Sequence, residues 1–234
     1  FHDLTFFLRA DYNRRPLDVL VNVPFRRFCR MVVRRAEAII VNSATTAGDV
    51  QRLLGADPAK LRVVPLATAA AYRPDGDRAA DAAVWGRYGL APGYVFYVGG
   101  MWPHKNVPRL VRAHAALPEA LRARHPLVLA GGPLPPELCR LLASPRIAGA
   151  TRSLGVVAEA DLPALYRGAA LFAFPSHYEG FGLPALEAMA CGTPVLSSTA
   201  PALVELTGDA AHHVDPEDDG AWGLARSFAA AKKI

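Results

Sequence analysis

Short apolar runs recur along this chain: Ala38–Asn42 (AIIVN), Leu61–Leu66 (LRVVPL), Tyr94–Val98 (YVFYV), Leu127–Ala130 (LVLA) and Leu171–Phe174 (LFAF). Runs this short, rich in β-branched or aromatic residues and set among Gly, Pro, Asn and Ser, predict buried strands. Further strands are expected near Ala150–Leu154, from Val195 to Ser197, and ending near Val214. Between the runs the apolar spacing turns helical. Helices are predicted over Pro24–Ala38, Thr46–Leu54, Ala79–Tyr88, Val107–Leu117, Pro136–Ala143, Leu162–Arg167 and Pro184–Ala190. Ser43 or Thr45 is expected to cap the second of these, with Gly55 as its stop, and Asp161 to cap the sixth. In Pro24–Ala38 (PFRRFCRMVVRRAEA), Phe25, Phe28, Cys29 and Val32 would face a core and Arg26, Arg27, Arg30 and Arg34 solvent. That reads as a solvated helix face, with a membrane-surface patch as the alternative. From Tyr94 onward strands and helices alternate at lengths that indicate a parallel sheet covered on both faces, an α/β architecture.

Two stretches carry chemistry. The first is HYEGFGLPALEAMACGTPV, His177 to Val195. A strand ending at Pro175-Ser176 leads into Glu179-Gly180-Phe181-Gly182-Leu183, and Pro184 then opens a helix that Gly192 and Pro194 close. Amides at a helix N-terminus suit a phosphate. Glu179 and Glu187 bracket the loop, and a carboxylate beside a phosphate site suits sugar hydroxyls. A phosphate with sugars at both ends, a nucleotide-sugar, satisfies both. The spacing alone leaves open that the glycines only turn the chain and the glutamates lie on the surface. The second stretch is Gly99-Gly100 followed by Lys105 and Asn106, at the carboxyl end of a predicted strand where ligands of open α/β sheets bind. Lys105 is a mobile charge within reach of a diphosphate, or else a surface lysine. Neither G-x-x-x-x-G-K-[ST] nor G-x-G-x-x-G occurs.

EGFGLPALEAMACGTPV resembles the E-x7-E signature of the retaining, nucleotide-sugar-dependent glycosyltransferases of the large fourth family, which have the GT-B fold of two doubly wound parallel-sheet domains. VGGMWPHKNVPRLV is similar to that family's V-G-x-x-x-P-R-K-N segment, with His104 where Arg is commoner, and RRAEAIIVNSATTAGDVQRLLG to the last third of its amino-terminal domain. The resemblance implies a hexosyltransferase moving mannose or glucose to a glycan or lipid-linked acceptor. By it, His2, Lys105 and Glu179 are the catalytic candidates. Gly99, Gly100, Lys105, Glu179, Gly180, Phe181, Gly182, Leu183 and Glu187 would bind donor, with Glu179 on the sugar, Glu187 on the ribose and His2 reaching the sugar from a strand end. It implies no metal and no cofactor beyond the donor substrate, and no D-x-D pair occurs. The divisions expected are 1–66 as the last part of an incomplete acceptor domain, 67–93 as linker and 94–234 as nucleotide-sugar domain. A donor-binding module without turnover, or a nucleotide-sugar epimerase of this architecture, remains open, and an acceptor requirement separates them. A phosphorylase would need a pyridoxal lysine and far more chain. Glu205, in ALVELTGDAA, resembles a family position held to be structural or near the phosphate, and stays outside the candidate set.

Composition narrows the partners. A length of 234 residues, 52% hydrophobic, with mean hydropathy +0.16, suits a globular protein, and no apolar run approaches the ~20 residues of a membrane span. Phe1-His2-Asp3 lacks the basic start and apolar core of a signal peptide, and three scattered cysteines fit a reducing cytoplasm. The expectation is a cytoplasmic protein, with weak membrane-surface association as its peripheral form. A net charge of +5 favours an anionic ligand, but without a basic–aromatic ladder no nucleic-acid partner is expected. His212-His213 are adjacent and point apart, so they are expected in a strand end and not on a metal.

Overall fold

The computed structural model describes residues 1–8, 16–145 and 147–218, with the side chains of residues 6 and 16–22 undescribed. The predicted ending, ARSFAAAKKI, lies outside the described residues. The chain divides into two compact units. The first comprises 1–67, 178–182 and 200–206, the second 68–177, 183–199 and the remainder.

The first unit holds α1 (Thr5–Leu8), α2 (Pro16–Arg35), β1 (Ile39–Val41), α3 (Ala44–Leu54) and β2 (Leu61–Val63). β1 and β2 pair in parallel, Ile39 opposite Leu61 and Val41 opposite Val63. Leu4, Cys29, Val33, Ile39, Val41, Val50 and Leu54 form its core. Ser43 caps α3, its hydroxyl accepting from the Thr46 amide at 2.9 Å, and Gly55 stops it at φ 72°. These are the cap and stop the sequence indicates. α2 departs from expectation. It begins at Pro16 and runs through Pro24. Cys29 and Val33, four residues apart, make its buried stripe, and Phe25, Phe28 and Val32 are exposed, Phe28 by 56%. Of the expected core face Cys29 is buried, and Val33 takes the place given to Val32. One residue turns a helix by about 100°, and the face that wins is the one the β1 and α3 side chains can meet. Ile40, Val63 and Val64 are likewise exposed on the two-stranded sheet, Ile40 by 63%.

The second unit contains α4 (Arg78–Arg87), β3 (Tyr94–Gly99), α5 (Val107–Ala115), α6 (Glu119–Arg124), β4 (Leu127–Gly131), α7 (Pro136–Leu142), β5 (Thr151–Gly155), α8 (Leu162–Gly168), β6 (Ala169–Phe174), α9 (Leu183–Ala190), β7 (Val195–Ser198) and β8 (His212–Val214). Between the last two strands, α10 (Pro201–Thr207) counts with the first unit through Leu206. The sheet is parallel throughout, in the order β5-β4-β3-β6-β7-β8. Counted from β3, that is 3-2-1-4-5-6, the doubly wound order, in which the chain reverses its sense of winding between β3 and β6. Tyr94, Phe96, Leu127, Leu129, Leu171 and Phe172 fill the sheet core. Helix α4 falls in the stretch read as linker, yet it packs on α8. There Asp81 takes Arg167 in a two-pronged pair at 2.6 and 2.7 Å, and both side chains are largely buried. Asp161 does not cap α8 as expected. Its carboxylate accepts from Arg87 and from the Tyr88 hydroxyl, so the guanidinium out-competes the helix amides for it. No helix among the described residues is long and apolar enough to cross a membrane.

Two outcomes follow for stability. Asp81→Ala strands a buried guanidinium and is expected to cost about 3–5 kcal/mol in urea unfolding, whereas an exposed-pair variant such as Asp75→Ala stays near parent. His114 is buried in α5, its Nε2–H donating to the His125 carbonyl at 2.8 Å and its Nδ1 unpartnered. Burial lowers its pKa from 6.5, more than the His125 bond raises it, and Arg122 and His125 add to the lowering. The unfolded chain therefore takes up a proton that the folded chain refuses, so stability falls as pH drops below 6.5. His114→Phe should flatten that slope in urea midpoints measured from pH 7.5 to 5.5.

Candidate functional site

In a doubly wound sheet the crevice for ligands opens beyond the carboxyl ends of the strands flanking the reversal, here β3 and β6. β3 ends at Gly99, opposite Gly131 at the end of β4. Gly99 has φ 153° and Gly131 φ 138°, and a Cβ on Gly131 would overlap the Gly99 carbonyl. The two strand ends are thus packed backbone to backbone, which leaves open main chain at the rim. Beyond Gly100 the chain makes a short 3-10 turn, Pro103–Lys105, and Asn106 then adopts φ 57° before α5 begins. Asn is among the few residues that accept the left-handed region. Its side chain is fixed by donating to the Pro216 carbonyl at 2.9 Å. Held by this turn, Lys105 carries its ammonium 5.4 Å over the ring of Phe174, the last residue of β6. Lys105 thereby spans the switch point from β3 to β6. The His104 carbonyl accepts from the His177 amide at 2.8 Å, tying the loop to the β6 exit, and the His104 ring is buried. His177 and Arg109 meet the two oxygens of Glu217 at 3.2 and 3.1 Å, a charged cluster that the sequence pattern did not single out.

Glu187 stands on α9, half-buried. Its Oε2 accepts from the hydroxyl of Tyr166 at 2.8 Å, and the Tyr72 hydroxyl also acts on the carboxylate. Tyr166 is wholly buried, edge-on to Phe96 at 5.4 Å and to Phe172 at 5.3 Å, with Tyr72 edge-on to it at 6.0 Å. Burial pushes the Glu187 carboxyl above its ordinary 4.5, and the two tyrosine hydroxyls pull it partway back. The same burial raises both tyrosines, Tyr166 well above 10, so they remain hydrogen-bond donors.

The remaining candidates fall in the first unit, because the chain passes from one unit to the other between Gly182 and Leu183. Leu183 itself opens α9. The Gly180 carbonyl accepts from the hydroxyls of Ser43 and Thr46. A Cβ on Gly180 would overlap the His2 carbonyl, and that carbonyl accepts from the Asn42 side chain at 2.9 Å. His2 and the glycine loop are therefore brought together through backbone, while the imidazole is exposed. Gly182, at φ 104°, leaves no room for a side chain against Leu203, and Phe181 is buried. Tyr178 anchors the start of the loop by donating to Asp49 at 2.8 Å. Glu179 is half-buried. Glu205, left out of the candidate set, accepts from the Ala44 and Thr45 amides at 2.7 and 2.9 Å, so its carboxylate serves the first turn of α3.

Sequence reasoning missed Tyr166, Tyr72 and the Phe174 platform. For Tyr166 and Phe174 the signal present was the aromatic content of LYRGAALFAF, which reads equally as core. Among the described residues no group of three or more His, Cys, Asp or Glu is arranged to hold a metal ion. His212 and His213 lie in β8, where His213 bonds Ser197 at 2.9 Å and the Gly208 carbonyl at 2.9 Å.

Known proteins share the fold. Among solved structures, HepE of Anabaena in complex with UDP-glucose superposes with a TM-score of 0.76 at 22% identity, covering 90% of this chain and 58% of that one. Sucrose-phosphate synthase of Thermosynechococcus elongatus gives 0.75 at 23% identity, covering 97% and 56%. At such identities the likeness establishes the fold, the GT-B type. In sequence, the O-antigen chain mannosyltransferase B of Escherichia coli is 36% identical over 100% of this chain and 65% of its own length. The D-inositol 3-phosphate glycosyltransferase of Salinispora arenicola is 40% identical over 84% and 47%. This chain thus spans between about half and two thirds of the length of these relatives. Residues 89–226, which contain the Lys105 turn, the Tyr166–Glu187 pair and the whole E-x7-E stretch, match the model of the glycosyl transferases group 1, and it is to that family that the chain belongs.

Proposed function

We propose that this chain carries the donor side of a retaining hexosyltransferase that moves mannose or glucose from a nucleotide-diphosphate sugar to a glycan or lipid-linked acceptor. The observation that carries the reading is Lys105 held at the β3–β6 switch point of a doubly wound sheet. In this reading Lys105, the Gly99-Gly100 backbone and the Gly180–Leu183 amides neutralise the departing diphosphate. Such electrostatic stabilisation is usually the largest single contribution to catalysis of this kind. Glu187 accepts from ribose hydroxyls, Glu179 holds the hydroxyls of the donor sugar, Phe181 and Leu183 line its seat, and His2 reaches the sugar. The leaving diphosphate takes the acceptor's proton, so no side-chain base, metal or further cofactor enters. Residues 1–66 belong to the acceptor side, 67–93 to a connecting segment and 94–234 to the nucleotide-sugar side. The mannosyltransferase of Escherichia coli supports the hexose, and HepE, solved with UDP-glucose, supports the class of donor.

In this reading the protein is cytoplasmic, with weak peripheral association at a membrane surface. Phe25, Phe28 and Met31 are exposed on α2 beside Arg27, Arg30 and Arg34, the pattern of a helix lying on anionic lipid. Donor binding with little turnover is the form of the activity proposed for this chain itself, since it spans 65% of the mannosyltransferase and, among the described residues, the first unit's sheet has two strands.

Mixed with UDP-glucose or GDP-mannose, the chain is expected to bind donor. Nucleoside diphosphate should be released only when a sugar acceptor is added, and far more slowly than by a full-length relative. Release that ignores acceptor, or conversion of the donor sugar to its epimer, would overturn the transferase reading. Lys105→Ala is expected to weaken UDP or GDP binding by about 1.5–3 kcal/mol in calorimetric titration while leaving uridine or guanosine nearly unchanged. Equal losses for nucleotide and nucleoside would remove Lys105 from the diphosphate.

A further inference from the structure

We propose that Tyr166 is a positioning residue for ribose recognition: it fixes the Glu187 carboxylate through Oε2 and so aims the remaining acceptor positions at the ribose hydroxyls of the donor. The proposal rests on the reading of Glu187 as the ribose ligand and names the group that makes that ligand directional.

A glutamate on a helix has freedom about three side-chain torsions, and a half-buried one that wanders loses affinity each time it is recaptured by ligand. Here one oxygen is pinned. The Tyr166 hydroxyl donates to Oε2 at 2.8 Å from a fully buried ring. Phe96 and Phe172 clamp that ring edge-on at 5.4 and 5.3 Å, and the Tyr166 backbone carbonyl accepts from the Thr193 hydroxyl at 2.7 Å. Thr193 lies in the turn after α9, so α8 is bonded both to the helix bearing Glu187 and to the turn that follows that helix. Tyr72, edge-on to Tyr166 at 6.0 Å, supplies a second hydroxyl beside the carboxylate. Two carboxylate oxygens present about four acceptor positions, so the Tyr166 and Tyr72 contacts leave capacity for the two neighbouring hydroxyls of a ribose. The tyrosine hydroxyl is also kept protonated by its burial, so it acts as a donor across the whole range in which proteins are assayed. A phenylalanine in its place would fill the aromatic cluster equally well and leave the carboxylate with the Tyr72 hydroxyl but without its anchor on Oε2. A filler alone would need no hydroxyl.

The test titrates UDP and GDP, and their 2′,3′-dideoxy forms, into the parent chain, Tyr166→Phe, Glu187→Ala and the double variant, with urea unfolding as the check on folding. Expected is a loss of about three- to tenfold in nucleotide affinity for Tyr166→Phe, a larger loss for Glu187→Ala, and no added loss in the double variant. For the dideoxy nucleotides Tyr166→Phe should bind like the parent. A loss for Glu187→Ala without one for Tyr166→Phe would overturn the inference and leave the ribose reading standing. Equal losses for ribose and dideoxy ligands would make Tyr166 a packing residue and overturn it also. Unchanged affinity in Glu187→Ala, or no binding of either nucleotide to the parent, would overturn the ribose reading and this inference with it.

Discussion

A buried hydroxyl must find an acceptor, and in the second unit the hydroxyl of Tyr166 finds Glu187. Much of that unit is arranged around this requirement. The Tyr166 ring belongs to the aromatic core between β3 and β6, with Phe96 and Phe172 as its neighbours. Its hydroxyl reaches out of that core to a carboxylate that burial makes costly to ionise. Packing and chemistry are therefore coupled. The same side chain that completes the hydrophobic layer holds the charged group proposed to meet the ligand.

The rim of the sheet follows a similar economy. Gly99 and Gly131 face each other where a single methyl group would collide with backbone, so two parallel strands end close together with main chain uncovered. The turn that follows uses Asn106 in a conformation most residues avoid, locked by its bond to Pro216. Lys105 is placed by this turn over Phe174, whose aromatic face attracts the ammonium.

In the first unit, glycine does different work. Gly180 lies against the His2 backbone, and its carbonyl is held by Ser43 and Thr46, the residues that also begin α3. Glu205 covers two of the remaining α3 amides. One helix start thus organises the loop that carries Glu179 and absorbs a carboxylate whose role the linear pattern left undecided.

Most of the element order was legible from local signals. Apolar runs marked β3, β4 and β6, Ser43 and Gly55 bracketed α3, and the E-x7-E stretch located Glu179 and Glu187. These are properties of neighbours in the chain, and period and capping report them directly. What tertiary structure decided are choices among partners far apart in sequence. Asp161 had the spacing of a helix cap but met Arg87 and Tyr88, 74 and 73 residues away. Phe25, Phe28, Cys29 and Val32 share a core-facing spacing, but of these only Cys29 packs, joined by Val33, because β1 and α3 set the angle. The sheet order that puts Lys105 over Phe174, and the 21-residue separation that Tyr166 closes to reach Glu187, exist only once parallel strands have paired. Sequence specified which residues carry charge and which turns they sit on. Folding determined which of them share a site, because hydrogen bonds and ring contacts are settled by distance in space and not along the chain.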